Sequence, residues 1–209
     1  MDIAGATHTV RAHDLLRLKR PDQLAGDAPP WARQSLVRAP WAVVRRAVAP
    51  NDHIAVGVRG CTRGKRWGTT TAATNVVELL TPEQLVDRVD RIRSQVPAAR
   101  ALVELRRRLR NLPLQWGPTG SAGFELATGL ATLGPDSDLD IVIRGRPPQH
   151  LFDRLPNVLD DLPARVDAQL DLEIGAVALA EVFCGAREVL VKTPTGIFLV
   201  STKSLVAGR

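Results

Sequence analysis

The stretch Ser137-Asp-Leu-Asp-Ile-Val-Ile143 restricts this chain more than any other. The apolar run after the acids reads as a strand over 139–143. Side chains alternate faces along a strand, so Asp138 and Asp140 share one face while Leu139 and Ile141 enter the core. Two residues of rise set these acids roughly 6.6 Å apart at their backbones. Carboxylates leaning together across that gap hold one or two divalent ions, which lie about 3.5–4 Å apart in two-metal sites. Hard oxygen ligands of this kind suit magnesium. Alone, the pattern also describes the solvated start of an edge strand.

An upstream element gives the acids something to act on. Gly120-Ser121 follows a short strand over 114–116 and precedes a helix expected from Phe124 to about Leu133. Backbone N–H groups at a helix start, a glycine permitting close approach and a hydroxyl donor together cradle phosphate. The alternative is an ordinary turn with Ser121 near a cap. A third acid is expected from a later strand, and Val166-Asp-Ala-Gln-Leu-Asp-Leu-Glu173 offers Asp167, Asp171 and Glu173 on one face. Periodicity does not choose among them; Asp167 is preferred.

The remaining chain divides into three regions. Residues 1–80 mix short apolar runs with turns, including strands at Ala39–Val44, Ile54–Val58 and Val76–Leu80, and read as a small accessory or substrate-binding domain. Residues 81–111 read as a helical connector. Thr81, Pro82 and Gln84 form a helix start, Leu85, Val89, Ile92 and Val96 recur at helical spacing, and Arg106, Arg107, Arg108 and Arg110 decorate the second half. Residues 112–209 alternate strands with helices at His150–Asp161 and Val177–Cys184, a strand at Arg165–Ile174 and a hairpin across Thr193–Gly196. The fold class expected is α+β: a small mixed N-terminal domain, then a catalytic domain with a mixed sheet and packed helices.

With 44% hydrophobic residues the chain can bury a core, and four Trp, four Phe and no Tyr leave Leu, Val and Ala to fill it. A formal charge of +6 favours acidic partners. Cys61 and Cys184 lack metal or disulfide spacing. No signal peptide or apolar run of about 20 residues is evident, so a cytoplasmic protein without a membrane partner is expected.

Gly-Ser, then Asp-hydrophobic-Asp-hydrophobic, then an Asp on a later strand resembles the nucleotidyltransferase superfamily related to DNA polymerase β. Sixteen residues separate Ser121 from Asp138, more than is usual there, which sets the chain apart from common branches such as the antibiotic-modifying enzymes. The longer stretch Trp116-Gly-Pro-Thr-Gly-Ser-Ala-Gly-Phe-Glu-Leu-Ala-Thr-Gly129, closing in Ser-Asp-Leu-Asp-Ile-Val-Ile, resembles a narrower family. This is the phosphoribosyl-dephospho-CoA transferase of malonate decarboxylase, or malonate decarboxylase holo-acyl-carrier-protein synthase. The likeness extends to Val166-Asp-Ala-Gln-Leu170, Arg11-Ala-His-Asp-Leu-Leu16 and Val56-Gly-Val-Arg-Gly60.

The resemblance implies an enzyme that moves a prosthetic group from triphosphoribosyl-dephospho-CoA to a serine of the malonate decarboxylase acyl carrier protein, releasing pyrophosphate. On this reading Asp138 and Asp140 hold magnesium, Asp167 completes the metal site or accepts the serine proton, and Gly120 with Ser121 holds the terminal phosphates. Thr128 and Gly129 shape the pocket floor or end a helix. Arg59, Arg63 and Arg66, with Lys65, form a basic loop that grips polyphosphate or an acidic carrier, or is simply solvated. The Arg106–Arg110 cluster reads as a solvated helix face, His13 and the four Trp as packing residues. Two other readings compete: a nucleotidyltransferase of another branch using ATP, and, from a different class, a basic nucleic-acid-binding module. Nucleic acid is not the expected partner.

Overall fold

A computed structural model describes residues 2–3, 6–7, 9–24, 27–62 and 64–206. The chain separates into two compact units, Met1–Thr81 and Pro82–Arg209, so the segment read as a connector packs from Pro82 onward within the second unit. Both units combine sheet and helix, and the fold is α+β. No helix among the described residues is long and apolar enough to cross a membrane.

In the first unit, β1 (Asp2–Ile3) and β2 (Ala6–Thr7) form a two-stranded ladder. A five-stranded antiparallel sheet follows, built from β3 (Leu15–Leu18), β4 (Trp41–Val44), β5 (His53–Arg59), β6 (Arg66–Ala72) and β7 (Val76–Leu80) in the order β6-β5-β4-β3-β7. One helix, α1 (Pro30–Arg38), covers it. Pro and Gly punctuation predicts a loop over Asp27–Pro30, yet Pro30 starts this helix, where its fixed φ and missing N–H cost nothing. Ala32 and Leu36, one turn apart, drop into the core beside Leu16, Ala42, Ile54 and Val56. Trp31 and Trp67 pack against the same cluster.

The second unit begins with α2 (Pro82–Val86) and α3 (Pro97–Leu109). Its sheet comprises β8 (Gln115–Pro118), β9 (Leu139–Arg144), β10 (Val166–Leu172), β11 (Gly175–Ala178), β12 (Glu188–Lys192) and β13 (Ile197–Ser201). These lie in the order β13-β12-β11-β10-β9-β8, every pairing antiparallel except β9 with β10. That parallel pair requires a crossover, supplied by α5 (Gln149–Phe152) and α6 (Leu155–Leu159). The remaining helices are α4 (Gly120–Thr128), α7 (Leu179–Phe183) and α8 (Thr202–Val206). Leu139, Ile141 and Ile143 are fully buried, as are Leu102 and Leu105 of α3, which packs against β9.

Four helical expectations are revised by local chemistry. The periodic stretch Leu85–Val96 is not one helix: α2 stops at Val86, a single 3-10 turn spans Val89–Arg91, and the backbone N–H groups of Arg93 and Ser94 turn away to Glu125. The helix expected from Phe124 to Leu133 starts earlier, at Gly120, and ends at Gly129, whose φ of 72° is the left-handed stop that glycine adopts freely. His150–Asp161 is broken into α5 and α6 by the turn preceding Pro156. The helix expected over Val177–Cys184 starts only at Leu179, because Val177 and Ala178 belong to the strand Gly175–Ala178, which pairs with β10 across the tight turn after Leu172.

Candidate active site

β9 delivers the two acids of the opening motif. Asp138 lies immediately before the strand and Asp140 is its second residue. Parallel pairing places Asp167 of β10 directly opposite Asp140. Register partners in a sheet share a face about 4.8 Å apart, so these carboxylates are immediate neighbours. Asp171 is also on this face, opposite Arg144, but it is otherwise engaged. Arg144 donates to Asp171 at 2.6 Å and to Glu83 at 2.9 Å, with its side chain 1% exposed. Asp171 therefore neutralises a buried arginine, whereas Glu173 lies beyond the end of β10.

α4 starts against these acids. The Thr119 N–H donates to the Asp140 carbonyl at 2.9 Å, tying the helix start to β9. Gly120 has a φ of 53°, and a Cβ placed on it would fall on the Asp140 carboxylate. Only glycine leaves that space open. The Thr119 side chain does not cap the helix, and its first-turn N–H groups, at Gly120 and Ser121, form the positive end of the helix beside Asp140.

The long spacing between Ser121 and Asp138 is explained by Glu125, which the sequence reading passed over. It is buried within α4, yet its carboxylate accepts the backbone N–H groups of Arg93, Ser94, Thr132 and Leu133 and the Ser94 hydroxyl, all at 2.8–3.2 Å. Burial pushes this carboxyl up, but the bonds from Thr132, Ser94 and Leu133 outweigh it and hold the group below its ordinary value. Thr132 adds a hydroxyl bond to the Ser121 carbonyl at 2.8 Å, and Ser137 accepts the Gly134 N–H at 2.9 Å. The loop leading to Asp138 is thus folded back onto the helix that starts beside Asp140.

Arg165, also missed, stands one residue before β10. Its guanidinium donates to Asp138 at 2.7 Å. That bond and the Asp138 charge, then Asp167 and Asp140, keep its pKa above the ordinary arginine value. A lone arginine before a strand carries no signal in sequence; only the fold brings it to all three acids.

Carboxylate oxygens beside an open glycine suit magnesium in chemistry. Among the described residues, however, no three acid, histidine or cysteine side chains converge to hold an ion. Asp140 and Asp167 adjoin, while Asp138 is turned to Arg165.

Other expected residues fall elsewhere. Arg59 and Arg66 are cross-strand partners at the β5–β6 hairpin of the first unit, and Arg63 lies outside the described residues. Thr128 bonds the Phe124 carbonyl and the Leu130 N–H, and Gly129 ends α4, so both finish a helix. In the arginine cluster, Arg106 pairs with Asp90 and Arg107 with Glu104. Arg108 pairs with Glu104 as well, and it also reaches the carbonyls of Val158 and Asp160, bracing the end of α6. Trp41 and Trp116 are buried.

Comparison with known proteins identifies the family. The phosphoribosyl-dephospho-CoA transferase MdcG N-terminal domain matches residues 11–82, and the MdcG C-terminal domain matches residues 84–203. The chain is 43% identical over 194 residues to a phosphoribosyl-dephospho-CoA transferase of Pseudomonas syringae pv. tomato, covering 92% of each protein. It is 43% identical over 183 residues to one from Pseudomonas aeruginosa, covering 86% of this chain and 87% of that protein. A Pseudomonas putida relative of the same name is 40% identical over 203 residues, covering 95% and 97%. No solved structure matches. Over nearly its whole length, then, this chain belongs to the phosphoribosyl-dephospho-CoA transferase family and is a transferase enzyme.

Proposed function

We propose that this transferase moves the phosphoribosyl-dephospho-CoA group from its triphosphate precursor to a serine of the malonate decarboxylase acyl carrier protein, releasing pyrophosphate. The observation that carries the reading is Asp140 in register with Asp167, beside a helix start that Gly120 keeps open. Adjacent carboxylates and helix N–H groups suit a triphosphate bound with a divalent cation.

Asp138, Asp140 and Asp167 would hold magnesium, which neutralises charge on the triphosphate oxygens when bound. The N–H groups of Gly120 and Ser121, with the Ser121 hydroxyl, hold the terminal phosphates. The carrier serine oxygen then forms a bond to the innermost phosphorus as its proton passes to a site carboxylate, with Asp167 the candidate, while the bond to the bridging oxygen breaks and pyrophosphate departs. Arg59 and Arg66 on the first unit offer bidentate donors to phosphate or to carrier carboxylates.

The test is intact-mass spectrometry of apo carrier protein incubated with enzyme, magnesium and either triphosphoribosyl-dephospho-CoA or ATP. A mass increase only with the CoA-derived precursor supports the reading. An increase only with ATP overturns the donor, and none with either overturns the acceptor.

A further inference from the structure

Arg165 is a cation bonded to Asp138, and the reaction proposed above gives it no role. Its side chain is 73% exposed, while that of Asp138 is 21% exposed, so the guanidinium covers the carboxylate from the solvent side. The backbone is fixed independently, since the Arg165 carbonyl accepts the Leu139 N–H at 2.9 Å. The side chain is therefore free to leave without disturbing β9 or β10. Asp140 and Asp167 adjoin on the neighbouring strands, yet three acids do not converge on one point among the described residues.

Resting on the carboxylate reading above, we propose that Arg165 is a positioning residue that occupies Asp138 in the free enzyme and releases it to the triphosphate. A positive charge bonded to one acid of the cluster opposes a divalent cation at the others by simple Coulomb repulsion. Phosphate oxygens offer a guanidinium a bidentate partner with more charge than one carboxylate, so an incoming triphosphate draws Arg165 away from Asp138. Asp138 then turns to Asp140 and Asp167. Metal and donor enter together, and the free enzyme binds metal weakly.

The experiment is a manganese titration of the free protein followed by electron paramagnetic resonance, without nucleotide or carrier. Wild type is compared with Arg165→Ala, Arg165→Gln and Asp140→Asn. Removing the competing charge is expected to tighten manganese binding about fivefold in Arg165→Ala and Arg165→Gln, the upper range for an exposed ion pair. Equal or weaker manganese binding in both arginine variants, with wild-type binding that depends on Asp140, overturns the role of Arg165 alone. Manganese binding unaffected by Asp140→Asn, or none in any variant, overturns the carboxylate site itself. In steady state the same arginine variants should raise KM for the triphosphate donor, because the phosphate contact is lost, and an unchanged KM contradicts the second half of the role.

Discussion

Asp140 and Asp167 face each other across the parallel pair β9 and β10, two like charges at directly opposed positions. Such a pair of directly opposed like charges is destabilising. A chelated, metal-free preparation of Asp140→Asn or Asp167→Asn should therefore melt at or slightly above the wild-type temperature. A fall of several degrees would show that these acids support the fold rather than the reaction.

Asp171 carries the opposite expectation. Its partner Arg144 is buried and shared with Glu83, so Asp171→Ala removes one of the two carboxylates that neutralise it inside the second unit. The expected loss is about 1.5–3 kcal/mol in urea unfolding. A stable Asp171→Ala protein without transfer activity would reverse the assignment of the third carboxylate.

Gly120→Ala should separate fold from function. A left-handed φ of 53° costs an alanine about 1–2 kcal/mol, and its Cβ meets the Asp140 carboxylate. Manganese binding and transfer should fall together while circular dichroism stays near wild type. Unchanged transfer would mean that the space beside Asp140 is not used.

Glu125 predicts a pH dependence. Its folded-state pKa lies below the ordinary 4.5, so its stabilisation is present above that value and is lost as pH falls through the folded one. Glu125→Gln should be less stable than wild type at neutral pH, by about 1.5–3 kcal/mol for lost bonds to a charged acceptor. The gap should narrow steadily below about pH 4.5. A gap independent of pH would mean that the carboxylate charge is not what organises the loop to Asp138.

Strand parity made Asp138 and Asp140 readable, because an apolar run after two spaced acids has one sensible orientation. Gly120 was also readable, although its positive φ and its contact with Asp140 were not. The register that sets Asp167 against Asp140 depends on how the crossover through α5 and α6 docks, which no local pattern encodes. Glu125 and Arg165 were invisible for related reasons. A glutamate within a helical stretch and an arginine before a strand have ordinary solvated explanations, and only tertiary contacts give them partners. The same long-range bonds to Glu125 cut short the helix that periodicity alone extends to Val96.

Single-turnover transfer by Asp167→Asn, read as intact mass of the carrier protein at saturating magnesium and donor, tests the account most directly. The protein should fold as wild type, and the rate should drop roughly 100-fold or more, the scale of losing charge stabilisation at a phosphoryl-transfer centre. Transfer near the wild-type rate would contradict the assignment of the carboxylates opposed across β9 and β10.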